Sequence, residues 1–181
     1  MSGKRWFAVV ALLVAIAPVG YAHAAGSGAK SALVTLRQTS DSMAQTIPRG
    51  WTMLMETDPY HGGLPERGDV VMFKYPFEVG VDYIDRVIGL PGDHVIVQNA
   101  HVYINGHQLT EPYIAAPPDY TDNKTVPTGY LYVLGDNRQK SSDSHDWGLL
   151  PVTDIIGRVL AVTPHPAGMR LLNPPKFPGV S

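Results

Sequence analysis

The side chains of this 181-residue chain best placed to do chemistry fall in Thr39-Ser40-Asp41-Ser42-Met43-Ala44-Gln45-Thr46-Ile47-Pro48-Arg49-Gly50. In an extended segment residues i and i+2 share a face, so Ser40 and Ser42 would present two hydroxyls together. Met43 and Ile47 would then wall that surface with apolar groups. A serine alcohol becomes a nucleophile only when a base of suitable pKa lies within hydrogen-bond reach. Read alone, the stretch is equally a Ser/Thr-rich loop leading into a strand. Three later stretches decide its meaning: Glu66-Arg67-Gly68-Asp69 through Tyr75-Pro76, Asp82-Tyr83-Ile84-Asp85-Arg86-Val87 through Gly92-Asp93, and Gly135-Asp136-Asn137-Arg138 through Trp147-Gly148. The chain has no cysteine, which excludes disulfides, thiolate catalysis and Cys-based metal sites. His23, His61, His94, His101, His107 and His165 show no clustering, so no metal site and no cofactor is expected.

The elements that must hold these residues are mostly strands. Hydrophobic residues make up 44% and charged residues 17%, which suits a folded chain, and 18 Gly with 16 Pro favour turns and short strands over long helices. Apolar runs bounded by turn residues predict strands over 31–37, 51–56, 68–75, 81–90, 130–134 and 154–162. A hairpin is predicted around Asn99 from 94–98 and 100–104, and Asn105-Gly106 is a two-residue hairpin signal into 107–109. The segment 111–128, rich in Pro, Asp, Asn and Thr, reads as an exposed loop. No convincing helix is predicted after residue 26, and the tail 164–181, with five prolines and a pre-proline His, reads as irregular. A net charge of −2 gives no reason to expect nucleic-acid binding.

The first 25 residues form a separate unit. Lys4 and Arg5 precede the apolar run Trp6 to Val19, and Ala22-His23-Ala24 followed by Ala25 closes it, the pattern of a secretory signal. The run is shorter than the ~20 residues of a comfortable membrane span. With Gly20 to Ala25 counted it reads equally as an uncleaved anchor, and the positive-inside rule then leaves the remaining chain outside. Either way residues 26–163 are exported as one domain, with a small excursion over about 95–130.

In this order and spacing, the four stretches resemble the conserved boxes of the type I signal peptidases, membrane-bound serine proteases that remove signal peptides. The resemblance runs from about Ser31 to Val162. It implies a mostly β core of coiled antiparallel sheets with a small β excursion. It makes Ser42 the nucleophile, and Ser40, with the Ser42 backbone N–H, the oxyanion donor. Met43, Ile47, Tyr83 and Ile84 would line pockets for small substrate side chains, favouring cleavage after Ala-x-Ala. Ser141 matches the serine that orients the base, Asp143 an acid that pairs with a nearby arginine, and Arg86 the arginine of the third box. The partners implied are preprotein signal peptides and the cytoplasmic membrane, with the domain on its outer, periplasmic face, or exported and soluble if the leader is cleaved.

Three positions depart from the family pattern. Gln45 stands where the first box has proline, and His145 where Asp143 would have its arginine. Most consequential, Asp85 occupies the position of the lysine that serves as base in the bacterial branch and of a histidine in the endoplasmic-reticulum branch. A carboxylate near its reference pKa of ~3.9 is a poor base for an alcohol, and burial that raises the pKa also protonates it. The sequence leaves three readings: a peptidase crippled or inactive at its base, a rearranged triad with His145 as base and Asp85 as its orienting acid, or rescue by Lys140 or Lys74. Two alternatives to general preprotein processing also follow, a non-catalytic binder of extended signal-peptide segments by β-augmentation and a dedicated maturation peptidase of a secretion or conjugation system.

Overall fold

The computed structural model describes residues 31–164 and 168–180. The leader or anchor expected over 1–25 lies outside the described residues. Among those residues no helix is long and apolar enough to cross a membrane.

The first sheet begins with β1 (Leu33–Arg37), β2 (Thr52–Thr57), β3 (Val70–Lys74) and β4 (Asp82–Gly89). A second sheet follows from β5 (His94–Gln98), β6 (His101–Ile104), β7 (His107–Gln108) and β8 (Asp122–Thr125). The chain then returns to the first with β9 (Tyr130–Leu134), the one-turn helix α1 (Ser144–Trp147), β10 (Leu150–Pro151), a 3₁₀ turn (Val152–Asp154), β11 (Ile155–Thr163) and β12 (Arg170–Leu171). The protein is thus mostly β. The large sheet runs β1-β2-β11-β3-β4-β9-β10 with β12 paired to β11, and the small one β7-β6-β5-β8, every pairing antiparallel.

Position in the sheet explains the residue patterns. β3 lies between β11 and β4, and its Val70, Val71, Met72 and Phe73 are all buried, as in a strand covered on both faces. β1 is an edge strand and alternates exposed with half-buried residues. Register shifts in β4 and β11, between Val87 and Gly89, Val159 and Ala161, and Ile155 and Gly157, let the sheet curl. The apolar groups divide into three clusters. One gathers Met43, Ile47, Met53, Met55, Met72 and Ile84. Another joins the two sheets through Ile88, Val95, Val102, Tyr132 and Leu134. A third surrounds Phe73, Val87 and Val133.

The hairpin expected around Asn99 is present, with Asn99 and Ala100 both at positive φ, and Asn105-Gly106 makes the next tight turn. Two expectations are corrected. The segment 111–128 is not all loop, because Asp122–Thr125 pairs with β5. Its side chains are polar and alternate half-buried with exposed, so no apolar run marks it as an edge strand. The tail is not wholly irregular either, because Arg170–Leu171 pairs with Val162 and Ala161 of β11.

Candidate functional site

Ser40 and Ser42 sit on a turn that follows β1, rather than on an extended strand. The turn is closed by Thr46 N–H and Ile47 N–H donating to Met43 O at 2.9 and 2.6 Å. The hydroxyls still meet, with Ser40 Oγ and Ser42 Oγ 3.1 Å apart. Asp41 turns away to Arg49, which grips its carboxylate at 3.0 and 2.9 Å and also donates to Thr39 O.

The loop after β9 stitches this turn in place. Asn137 N–H donates to Ser42 O at 2.8 Å, and Asn137 Nδ2 donates to Asp41 O at 2.9 Å. Asp136 accepts from Thr46 Oγ1 and takes Arg86 in a two-point grip, Nε at 2.8 Å and Nη2 at 2.6 Å. Arg86 is buried, donates also to Gly68 O at 2.8 Å, and lies over the Tyr113 ring at 4.1 Å. Gly135 has no side chain because there is no room for one. A Cβ there would lie 2.5 Å from Ser141 Cβ and 2.9 Å from Ser42 O. The Ser42 carbonyl, the Gly135 backbone and the Ser141 side chain therefore converge at one point.

Asp143 organises the other side. It is fully buried, accepts from Gly135 N–H at 3.0 Å, and caps α1 by accepting from His145 N–H at 3.2 Å. His145 Nδ1 lies 2.6 Å from Asp143 Oδ1, its Nε2 3.2 Å from Asp146 Oδ1, and its ring stacks on Tyr120 at 3.7 Å. Both ring nitrogens thus face carboxylates. Burial opposes a charge on His145, but the Asp143 contact and charge outweigh it, and the pKa is raised.

Asp85 lies on β4 opposite Val71 and is buried. Its pKa is pushed well above the ordinary carboxylate range, first by burial and then by the charges of Asp143 and Asp136, with the neighbouring Ser141 hydroxyl and Arg138 offsetting part of this. The Ser141 hydroxyl lies near enough to influence the carboxyl but closes no well-formed bond to it, since among the described residues neither Ser141 Oγ nor Asp85 Oδ2 has a hydrogen-bond partner. A carboxyl so placed is protonated well above the pH at which an exposed one ionises, and its burial in that form favours the fold. The stability it contributes is complete below ~3.8 and is lost as pH rises through the folded value. Urea unfolding across a pH series is therefore expected to show the parent losing stability with rising pH more steeply than Asp85→Asn, by at most ~1.4 kcal/mol per pH unit. His145 contributes its own loss above 6.5 to both proteins, so the difference between them isolates Asp85. Parallel curves would mean that Asp85 is ionised in the folded state.

The residues expected to line the substrate pocket fall in two places. Met43 and Ile47 have no exposed surface and pack with Ile84 in the first cluster, whereas Tyr83 packs beside the third and stacks on Tyr75 at 4.4 Å. Lys74 ends β3 opposite Asp82, and both it and Lys140 are exposed. Several supporting residues were not singled out by sequence: Gly135, Asn137, Thr46, and the buried pair Arg138–Glu111, in which Arg138 also donates to Gly135 O at 3.0 Å. The signal for the first two was present, since a Gly-Asp-Asn run just past an apolar strand marks a tight turn.

A curled β domain with two serine hydroxyls on a turn pinned by a Gly-Asp-Asn-Arg loop is a site whose class the comparisons with known proteins define. The profile of signal peptidases, peptidase S26, matches residues 4–163, and the chain belongs to that family. It is 43% identical over 129 residues to a protein of Synechocystis sp. named probable signal peptidase I-1, covering 67% of this chain and 66% of that one. It is 35% identical over 130 residues to thylakoidal processing peptidase 1, chloroplastic, of Arabidopsis thaliana, covering 66% of this chain and 38% of that one. A crystal structure of a signal peptidase I from Enterococcus faecalis V583 aligns at a TM-score of 0.49 and 32% identity, over 53% of this chain and 97% of that one. The chain spans 66%, 64% and 38% of the length of three of the curated relatives it matches.

Proposed function

We propose that this chain is a serine endopeptidase that removes signal peptides from exported preproteins after small residues, with Ser42 as nucleophile and a rate limited by Asp85. The observation that carries the reading is the convergence at Ser42. Its hydroxyl meets Ser40 Oγ at 3.1 Å, while its carbonyl is fixed by Asn137 and abuts Gly135 and, beside it, Ser141. In the reaction Ser42 Oγ attacks the scissile carbonyl, and the Ser40 hydroxyl with the Ser42 N–H receives the developing oxyanion. Ser141 orients the group at position 85, and Asp143 with its partner His145 fixes the loop through Gly135. Ile84 on β4, with the buried Met43 and Ile47 behind the nucleophile, backs the apolar wall that selects alanine, and Tyr83 packs apart from it on the other face of β4.

The contacts of His145 favour a role as partner of Asp143 over that of base. The base is then Asp85, available only in its ionised form, so turnover is slow and rises with pH. The names of the relatives point to leader peptides as substrates, and the leader-like sequence of residues 1–25 supports a position on the outer face of the cytoplasmic membrane, or free of it if the leader is removed. Incubation with a preprotein carrying an Ala-x-Ala site is expected to give slow cleavage with a new N-terminus just after the second alanine, absent in Ser42→Ala. The burial of Asp85, which raises its pKa and weakens it as a base, favours one second reading, a non-catalytic binder of extended signal segments. Saturable binding of the preprotein with no product at any pH would establish that reading instead.

A further inference from the structure

Residues 168–180 lie beyond the family match, which ends at residue 163, yet they are fastened to the domain at two points. Near the start, β12 pairs with β11, Leu172 N–H donates to Leu160 O at 2.8 Å, and Leu172 packs on the cluster that holds Met43 and Ile47. From β12, Arg170 Nη2 donates to Thr46 O at 2.7 Å, on the nucleophile turn itself. Farther on, Phe177 and Val180 pack against the cluster between the sheets. There the segment crosses Gly68 so closely that a Cβ on that residue would lie 2.7 Å from Pro175 Cδ and 3.1 Å from Phe177 Cε2.

The two fastening points have one partner in common. Arg86 donates from Nη1 to Gly68 O at 2.8 Å and from Nη2 to Thr46 Oγ1 at 3.3 Å. The same guanidinium grips Asp136, and the next residue, Asn137, holds the Ser42 carbonyl. We propose that residues 168–180 form a strap that positions the nucleophile turn, with Arg170 as its positioning residue, acting through Thr46 and the Arg86 hub on Ser42. This role rests on the peptidase reading of Ser42. A segment that merely covered apolar surface would instead steady both sheets alike.

Arg170 is an exposed residue, so truncating it opens no buried cavity and leaves the β12 pairing intact. The test is amide hydrogen exchange on the full chain, comparing the parent with Arg170→Ala and Arg170→Lys. Loss of a charged donor to a backbone carbonyl is expected to speed exchange over residues 40–48 about tenfold in Arg170→Ala. Exchange in β5 and β8 and the melting temperature should stay as in the parent, and Arg170→Lys should recover part of the protection. On a cleaved preprotein, Arg170→Ala should lower kcat and leave KM unchanged. Unchanged exchange over 40–48, or an increase spread evenly over both sheets, would overturn the proposal. The exchange readout needs no turnover. A parent that never cuts but whose 40–48 segment loosens in Arg170→Ala would therefore sink the peptidase reading and support the strap.

Discussion

Asp85→Lys is expected to raise preprotein cleavage by ~10²–10⁴-fold, the usual span of a general-base contribution. Position 85 is buried beside Ser141 and under the charges of Asp143 and Asp136, the turn that carries Ser42 is pinned by Asn137, and Asp143 is fixed by Gly135 N–H. What it lacks is a group that is both deprotonated and basic near neutral pH. The burial that protonates Asp85 is its largest influence, and the same burial would lower the pKa of a lysine there and free its amine to accept the Ser42 proton. The charges of Asp143 and Asp136 work against this, since they favour an ammonium, so the gain should grow with pH and level off once the amine is neutral. Measured over a pH series, a rate no greater than the parent's at every point would count against Asp85 as the limiting residue. If the gain also persisted in Asp85→Lys combined with Ser42→Ala, the nucleophile would be assigned wrongly.

Gly135→Ala should be the most damaging single methyl that can be added near the site. The new Cβ would overlap Ser141 and press on the Ser42 carbonyl, and backbone rather than a flexible side-chain end must give way. Overpacking of this kind costs about 3 kcal/mol, a fall in melting temperature of roughly 6–12 °C for a domain of this size. Cleavage should drop further than the lost stability explains, because the displaced carbonyl belongs to Ser42, the proposed nucleophile. Adding Ser141→Gly removes the clash with the serine but not that with Ser42 O, so the double variant should regain stability before activity. A Gly135→Ala protein that melted with the parent would show that the loop after β9 yields easily, and the convergence at Ser42 would lose its meaning.

Much of the fold was legible because its signals are local. The apolar run Val70 to Phe73 and the Asn105-Gly106 turn each carry their own explanation, and the structure moves their boundaries by only a residue or two. β8 was not legible, because Asp122-Asn123-Lys124-Thr125 is a strand only by virtue of the edge of β5 beside it. The serine pair could be found from its spacing and from the family resemblance, although the reason first given, an extended strand, is not the geometry that unites them. The supports of the turn were hidden for a different reason. Arg138 and Glu111 look like ordinary surface charges until both are seen buried in one ion pair. Nothing near Arg170 in sequence indicates that its guanidinium ends on Thr46.

The sequence distances inside the site have a consequence for when it comes into being. Met43 Sδ accepts from a backbone N–H 93 residues later, Asp41 O from a side chain 96 residues later, and Thr46 O from one 124 residues later. As a chain is made from its N-terminus, Ser42 emerges early with the local bonds of its turn, but the groups of the loop after β9 and of β12 that pin that turn to the sheets emerge late. Closing loops of that length carries an entropic cost that only the completed sheets can offset. Ser42 therefore passes most of the synthesis on a turn held only by its own local bonds, and takes its final place only when the last strands are laid down.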